Sequence, residues 1–342
     1  VIQECRGSEM LRILTPQGAG QYYFVVNIIV YTDILINFGL NTYLQREIAK
    51  ARAEGNRYLT NAVLFRLLLC LVAAPLLALF ILLWPIVSGA LSTLSGGAPA
   101  ASLDAGQIWA LALFAVGLLP ANVSAALTAL FQANEKMEYP AAVTIVSTII
   151  KAGLGTAALL AGWSIVGLGG VSIVTNIVTL IILFVLTVRH FFVPRPALSG
   201  ALLREMGRES WPLMVNNLLS MGFFKADVLL LKAMQGDIVL GLYSSVAYKV
   251  IDAINIIPSS FTFALFPLMS RYAHASREAT YRAYQLAIRL LLIVSLPLAL
   301  ALTTLAFPLA RLIGGSGYLP DSAIALQLMI WSIPLGFINS VT

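Results

Sequence analysis

The feature that most limits this chain is a succession of apolar blocks about twenty residues long, the length a helix needs to cross roughly 30 Å of hydrocarbon. About nine such blocks follow one another, near residues 22–45, 62–87, 107–132, 139–161, 163–188, 211–234, 238–269, 286–308 and 322–342. Lipid offers no partner to a bare backbone N–H or C=O, so each block must be helical. The cleanest, Trp163 to Val188, holds no Asp, Glu, Lys or Arg; the first, sixth and seventh carry charges inside. The expectation is an all-α, multi-pass integral membrane protein.

Composition excludes the soluble alternative. Only 11% of the residues are charged and the mean hydropathy is +0.90, whereas soluble domains are about one quarter charged. The net charge of +6 follows topology and does not call for nucleic acid. Arg46, Lys50, Arg52, Arg57, Lys136, Arg189, Arg195, Arg204, Arg208, Arg271, Arg277 and Arg282 all fall after odd-numbered blocks, against Arg6, Arg12, Lys232 and Arg311 on the other side. Short cytoplasmic loops retain basic residues, so odd blocks end in the cytoplasm, and the chain is placed in the cytoplasmic membrane. Cys5 and Cys70 form no spacing motif, and a disulfide between them is not expected.

The stretch 190–210, RHFFVPRPALSGALLREMGRES from Arg189, mixes Pro194, Pro196 and Gly200 with charges. It reads as a cytoplasmic linker carrying a short amphipathic helix on the membrane surface, between an N-terminal bundle (1–189) and a C-terminal bundle (211–342). An internal repeat fits two bundles: Gly20-Gln-Tyr22 and Gly241-Leu-Tyr243, Arg66 and Arg289, Pro75 and Pro297, Asp104 and Asp321, Asn122 and Asn339 recur at offsets of 217 to 223. Both copies would keep one sense in the membrane, a known transporter plan. Val1 is not an initiator Met, no signal-peptide core follows it, and the sequence stops within WSIPLGFINSVT. It reads as an internal fragment of a longer transporter-like chain.

No enzyme signature is present: no GxxxxGK[ST] phosphate loop, no HExxH and no CxxC, so neither cofactor nor metal is expected. His190 and His274 fall in cytoplasmic flanks and read as solvated or headgroup-facing. Asn122-Val-Ser124 matches a glycosylation acceptor but lies inside a block. Interest therefore falls on ionisable residues at membrane depth, which face a cavity or a partner. Arg66 and Arg289, near the starts of their blocks, read as snorkelling to the headgroups. Lys151, alone in its block, points to an anion-binding cavity or to an ion pair with Asp33. Asp33 itself suits proton or sodium coupling or the pairing of a lysine. Lys225 and Asp227 are two apart and point to different sides of a helix, so at least one needs an outside partner; Lys249 and Asp252, three apart, share a face and can neutralise each other. Lys151, Lys225 and Lys249 are the cationic substrate-cavity candidates, with Asp33, Asp227 and Asp252 for ion coupling or charge pairing. Pro75, Pro120, Pro212, Pro258, Pro297 and Pro334, within or beside the blocks, allow bending.

Several short strings carry a family resemblance: Gly18-Ala-Gly20-Gln-Tyr22, Phe38-Gly39-Leu40-Asn41 with Arg46-Glu47, Ala129-Leu-Phe-Gln132 leading to Glu135-Lys-Met-Glu-Tyr139, Lys225-Ala-Asp227-Val-Leu-Leu-Leu, Tyr248-Lys249 and Leu265-Phe-Pro267-Leu-Met-Ser-Arg271. The chain resembles the polysaccharide transporter branch of the multidrug/oligosaccharidyl-lipid/polysaccharide exporter superfamily, the Wzx-like O-antigen and exopolysaccharide flippases. The resemblance implies a MATE-like fold of twelve to fourteen helices in two bundles, of which these would be helices two to ten. It also implies alternating access and a lipid-linked oligosaccharide on undecaprenyl pyrophosphate as cargo. Membrane lipids, a proton or sodium ion and polysaccharide polymerase machinery are the partners it suggests. Two alternatives stay open: a cation-coupled multidrug exporter of the same superfamily, and a membrane-embedded glycan polymerase or ligase.

Overall fold

The computed structural model describes residues 14–95, 102–258, 260, 261 and 277–340. Cys5, Arg6, Arg12, the Leu265–Arg271 string and His274 lie outside the described residues. Among those described, every regular element is helical, as lipid solvation demands.

The helices are α1 (Pro16–Asn37), α2 (Leu40–Lys50), α3 (Gly55–Ser95), α4 (Ala105–Ala133), α5 (Glu138–Leu160), α6 (Ser164–His190), α7 (Gly200–Ile254), α8 (Arg277–Thr304), α9 (Ala306–Gly314), α10 (Asp321–Met329) and α11 (Ser332–Asn339). Their ends follow local chemistry. Pro16 opens α1, where its missing N–H costs nothing, and the Thr15 hydroxyl accepts the Gly18 N–H. Asp104 and Gln107 close a reciprocal capping box at the start of α4. Between α1 and α2 the chain turns through Phe38 (φ 53°) and Gly39 (φ 75°). Gly39 is doubly required, because a Cβ there would also press on Leu213 and on the Ser210 carbonyl.

Eight helical stretches among the described residues are long and apolar enough to cross a membrane. The expected sixth and seventh blocks are one run, α7, broken at Gly236 (φ 81°, ψ −170°). Lys232, expected on the outward side at the end of the sixth block, lies inside this helical run. It is fully buried, with its ammonium over the Phe24 ring at 5.5 Å.

The chain divides into two compact units, which cut α1 after Gly20 and α7 after Gly236. In the unit Gln21–Gly236, amphipathic α2 buries Leu40, Tyr43, Leu44 and Ile48 on one face against Leu130 and Phe131 of α4, Leu183 of α6, and Leu202 and Met206 of α7. The segment that precedes the sixth block thus gives its apolar face to protein, and the Tyr43 hydroxyl donates to Glu205 at 3.2 Å. The other unit has its own core of Val246, Val250, Leu291, Ala306, Leu326, Ile330 and Phe337. Within it Gly20 and Gly241, the glycines matched by the repeat, meet where α1 crosses α7. A Cβ on Gly20 would overlap the Asp237 carbonyl, and one on Gly241 the Pro16 carbonyl. Tyr318, whose hydroxyl donates to the Leu14 carbonyl at 2.9 Å, has its pKa pushed up to about 12 by burial, with a hydrogen bond to Ser245 acting the other way.

Candidate functional site

Four helices of the unit Gln21–Gly236 bring a polar group together: half-buried Asp33 from α1 and Asn41 from α2, and buried Arg66 from α3 and Asn122 from α4. The Asn122 amide donates to Asp33 Oδ1 at 2.8 Å and to the Leu118 carbonyl at 3.2 Å. The Arg66 guanidinium donates to Asn41 Oδ1 at 2.6 Å and to the main-chain carbonyl of Asn122, and its charge attracts Asp33. Arg66 is fully buried, and its Nε and the Asn122 Oδ1 have no hydrogen-bond partner. An arginine taken out of water is tolerable only with such compensation.

This overturns two expectations. Arg66 does not snorkel: its side chain is fully buried within the protein, and its guanidinium is bonded to Asn41 and to the Asn122 carbonyl. Asp33 does not pair with Lys151. Its partners are Asn122 and, through charge, Arg66, while Lys151 is exposed on α5 with no ion pair among the described residues.

The remaining candidates are spread out. Lys225 and Asp227 are half-buried on α7; the Lys225 carbonyl accepts the Asn27 amide at 3.4 Å, and Asp227 Oδ1 accepts the Val228 N–H. Lys249, half-buried, and Asp252, exposed, lie beyond Gly236 in the other unit. Arg289 is exposed in that unit, in a groove along α8 with Tyr281, Tyr284 and Gln285. The described residues hold no cluster of three or more His, Cys, Asp or Glu able to seat a metal. What residue-by-residue inspection missed are the carboxamides: Asn41 and Asn122 carry no charge to attract notice, although a lone amide in an apolar block needs a partner as surely as an ion does.

A cavity of about 390 Å³ opens beside this network among α2, α4, α5 and α6. Asn41 belongs to both.

A family model described as "Polysaccharide biosynthesis protein" matches residues 10–273, and one described as "MatE" matches residues 212–342. Among solved structures, the chain is similar to an inward-facing multidrug resistance MATE family transporter of the MOP superfamily. That match has a TM-score of 0.67 and 16% identity, covering 99% of this chain and 81% of the other. It is also similar to the eukaryotic MATE transporter AtDTX14, with a TM-score of 0.55 and 16% identity over 99% of this chain and 78% of that one. At such identity these likenesses establish the fold. No curated protein matches the chain.

Proposed function

Because the chain belongs to the polysaccharide biosynthesis protein family, within the multidrug/oligosaccharidyl-lipid/polysaccharide exporter superfamily, we propose that this multi-pass membrane transporter is a lipid-linked oligosaccharide flippase. It would move undecaprenyl-pyrophosphate-linked sugar units from the inner to the outer leaflet of the cytoplasmic membrane, for cell-surface polysaccharide biosynthesis. The observation that carries this reading is the family match across residues 10–273.

The physical problem defines the mechanism. A pyrophosphate bearing a hydrated glycan cannot enter hydrocarbon, whereas its polyprenyl tail has no reason to leave it. The carrier therefore supplies a polar route for the headgroup while the tail stays in lipid. Lys151, Lys225 and Lys249 are the proposed cations along that route, offering mobile point charges to the pyrophosphate. Two helix bundles alternate between inward-open and outward-open states, and only a differential affinity of ligand or ion for the two is needed. Asp33, held by Asn122 beside Arg66, is the foremost proposed ion-coupling group, with Asp227 second; a proton or sodium ion is the coupling species.

The "MatE" match over residues 212–342 favours a second reading, cation-coupled export of drugs. Such a route would suit cationic cargo with acidic residues, and the three lysines weigh against it. The two readings separate in vesicles reconstituted with the full chain. Outward appearance of lipid-linked oligosaccharide is the expected result; uptake of a cationic dye with no movement of the lipid would reverse the assignment.

A further inference from the structure

The cavity beside Asn41 has a composition unlike the charged route just described. Its wall is built from Asn41, Gln45, Thr128, Gln132, Thr144 and Asn176, with small and apolar residues between them, and none of its lining residues is ionisable. At about 390 Å³ it falls within the size range of small-molecule sites, about 300–1,000 Å³. Part of the wall's hydrogen-bonding capacity is already used. Gln45 donates to Gln132 Oε1, the Asn176 amide donates to the Gly117 carbonyl at 2.9 Å, and the Thr144 hydroxyl donates to the Pro140 carbonyl at 2.8 Å. Each of these groups keeps a further donor or acceptor. Thr128 is half-buried and its hydroxyl takes up no protein partner among the described residues.

A wall of amides and hydroxyls without charge does not select an anion or a cation. It suits a ligand dense in hydroxyls that both donate and accept. We propose that this cavity is a subsite for an uncharged sugar residue of the cargo, separate from the lysines that would meet the pyrophosphate. The assignment rests on the flippase reading. The Arg66 guanidinium ties the wall to the ion-coupling candidate, since it bonds Asn41 on one side and the Asn122 carbonyl beside Asp33 on the other.

The test compares two cargoes in vesicles holding the full chain: undecaprenyl pyrophosphate alone, and undecaprenyl pyrophosphate bearing a neutral trisaccharide of N-acetylglucosamine and two hexoses. The variants are Thr128→Val, which preserves side-chain shape, and Thr128→Val with Gln132→Leu. The double variant is expected to move the trisaccharide-bearing lipid about ten-fold more slowly, the size expected from losing one or two neutral hydrogen bonds, and to move the bare lipid at the wild-type rate. Unchanged trisaccharide movement in both variants, or equal loss for both cargoes in the single variant, would overturn the subsite. Should the double variant not fold, the single variant decides, with a smaller loss confined to the sugar-bearing cargo. Wild-type protein that moves neither lipid would overturn the flippase assignment itself.

Discussion

Asn122 donates its side-chain amide to Asp33 at 2.8 Å, and its main-chain carbonyl receives Arg66. One residue of α4 thus stands between the acid of α1 and the base of α3. The amide orientation is set by the same contact, because an ionised carboxylate only accepts. The Arg66 charge also acts on Asp33, so the two groups are linked both through Asn122 and through charge.

Arg66 is fully buried and its bonds to Asn41 and the Asn122 carbonyl are lost when it is replaced, and each buried acceptor left without a donor costs about 1–3 kcal/mol. Arg66→Met is therefore expected to lower thermal stability sharply. Combined with Asp33→Asn, it should recover part of that loss, since the acid that needed Arg66 is then gone. Thermal unfolding of the four purified proteins gives the coupling directly. Strictly additive losses would show that the two groups ignore each other.

Lys151 makes the opposite case. It is exposed on α5, so Lys151→Ala should leave stability within about 0.5 kcal/mol. Transport of lipid-linked oligosaccharide should nonetheless fall, and fall to background when Lys225→Ala and Lys249→Ala are added. Thermal unfolding and vesicle translocation measured on the same preparations separate the two effects. Full transport by the triple variant would remove the lysines from the route.

The spans were legible in the sequence because lipid imposes a length and a composition together. The break in α7 was not. One glycine, Gly236, ends one helical direction and starts another, and the polar residues around it in KAMQGDIV read as a loop. That same misreading counted Lys232, at the end of the sixth block, among the outward-side charges. The burial of Arg66 was hidden because its partners, Asn41 and Asn122, come from other helices. The contacts of Asp33, Asn41, Arg66 and Asn122 join four helices, and no spacing along one helix records them. The repeat, by contrast, pairs Gly20 with Gly241, the two glycines that meet in the fold.

Three glycines separate backbone strain from lack of space. At Gly236 nothing lies within 4 Å of where a Cβ would be, but its φ of 81° and ψ of −170° belong to a region that is essentially glycine's alone, and strain there is about 1–3 kcal/mol. Gly236→Ala should lose that amount through the backbone only. Gly20→Ala and Gly241→Ala must instead push α1 from α7, because each Cβ would overlap the opposite backbone. Their double variant should lose much less than the sum of the singles, since one separation relieves both. Chemical-denaturant or thermal unfolding of the four variants is the measurement, and full additivity at Gly20 and Gly241 would argue against a shared crossing.

Met206 tests what the start of α7 rests on. Leu202, Met206 and Ser210 are buried four residues apart, while Arg204, Glu205, Arg208 and Glu209 are exposed. Such a helix suits a lipid surface as well as a protein one, but here Leu202 and Met206 join the core with Leu40, Tyr43, Leu44 and Ile48. Truncating a fully buried side chain of this size costs about 2–5 kcal/mol. Met206→Ala is therefore expected to destabilise the purified protein by that amount in detergent, with no bilayer present. The double change Arg204→Ala and Arg208→Ala, on the exposed face, should move stability by less than about 0.5 kcal/mol. A segment held by lipid would give the reverse in detergent: little loss from Met206→Ala, and an effect of the arginines only when anionic lipid is added back.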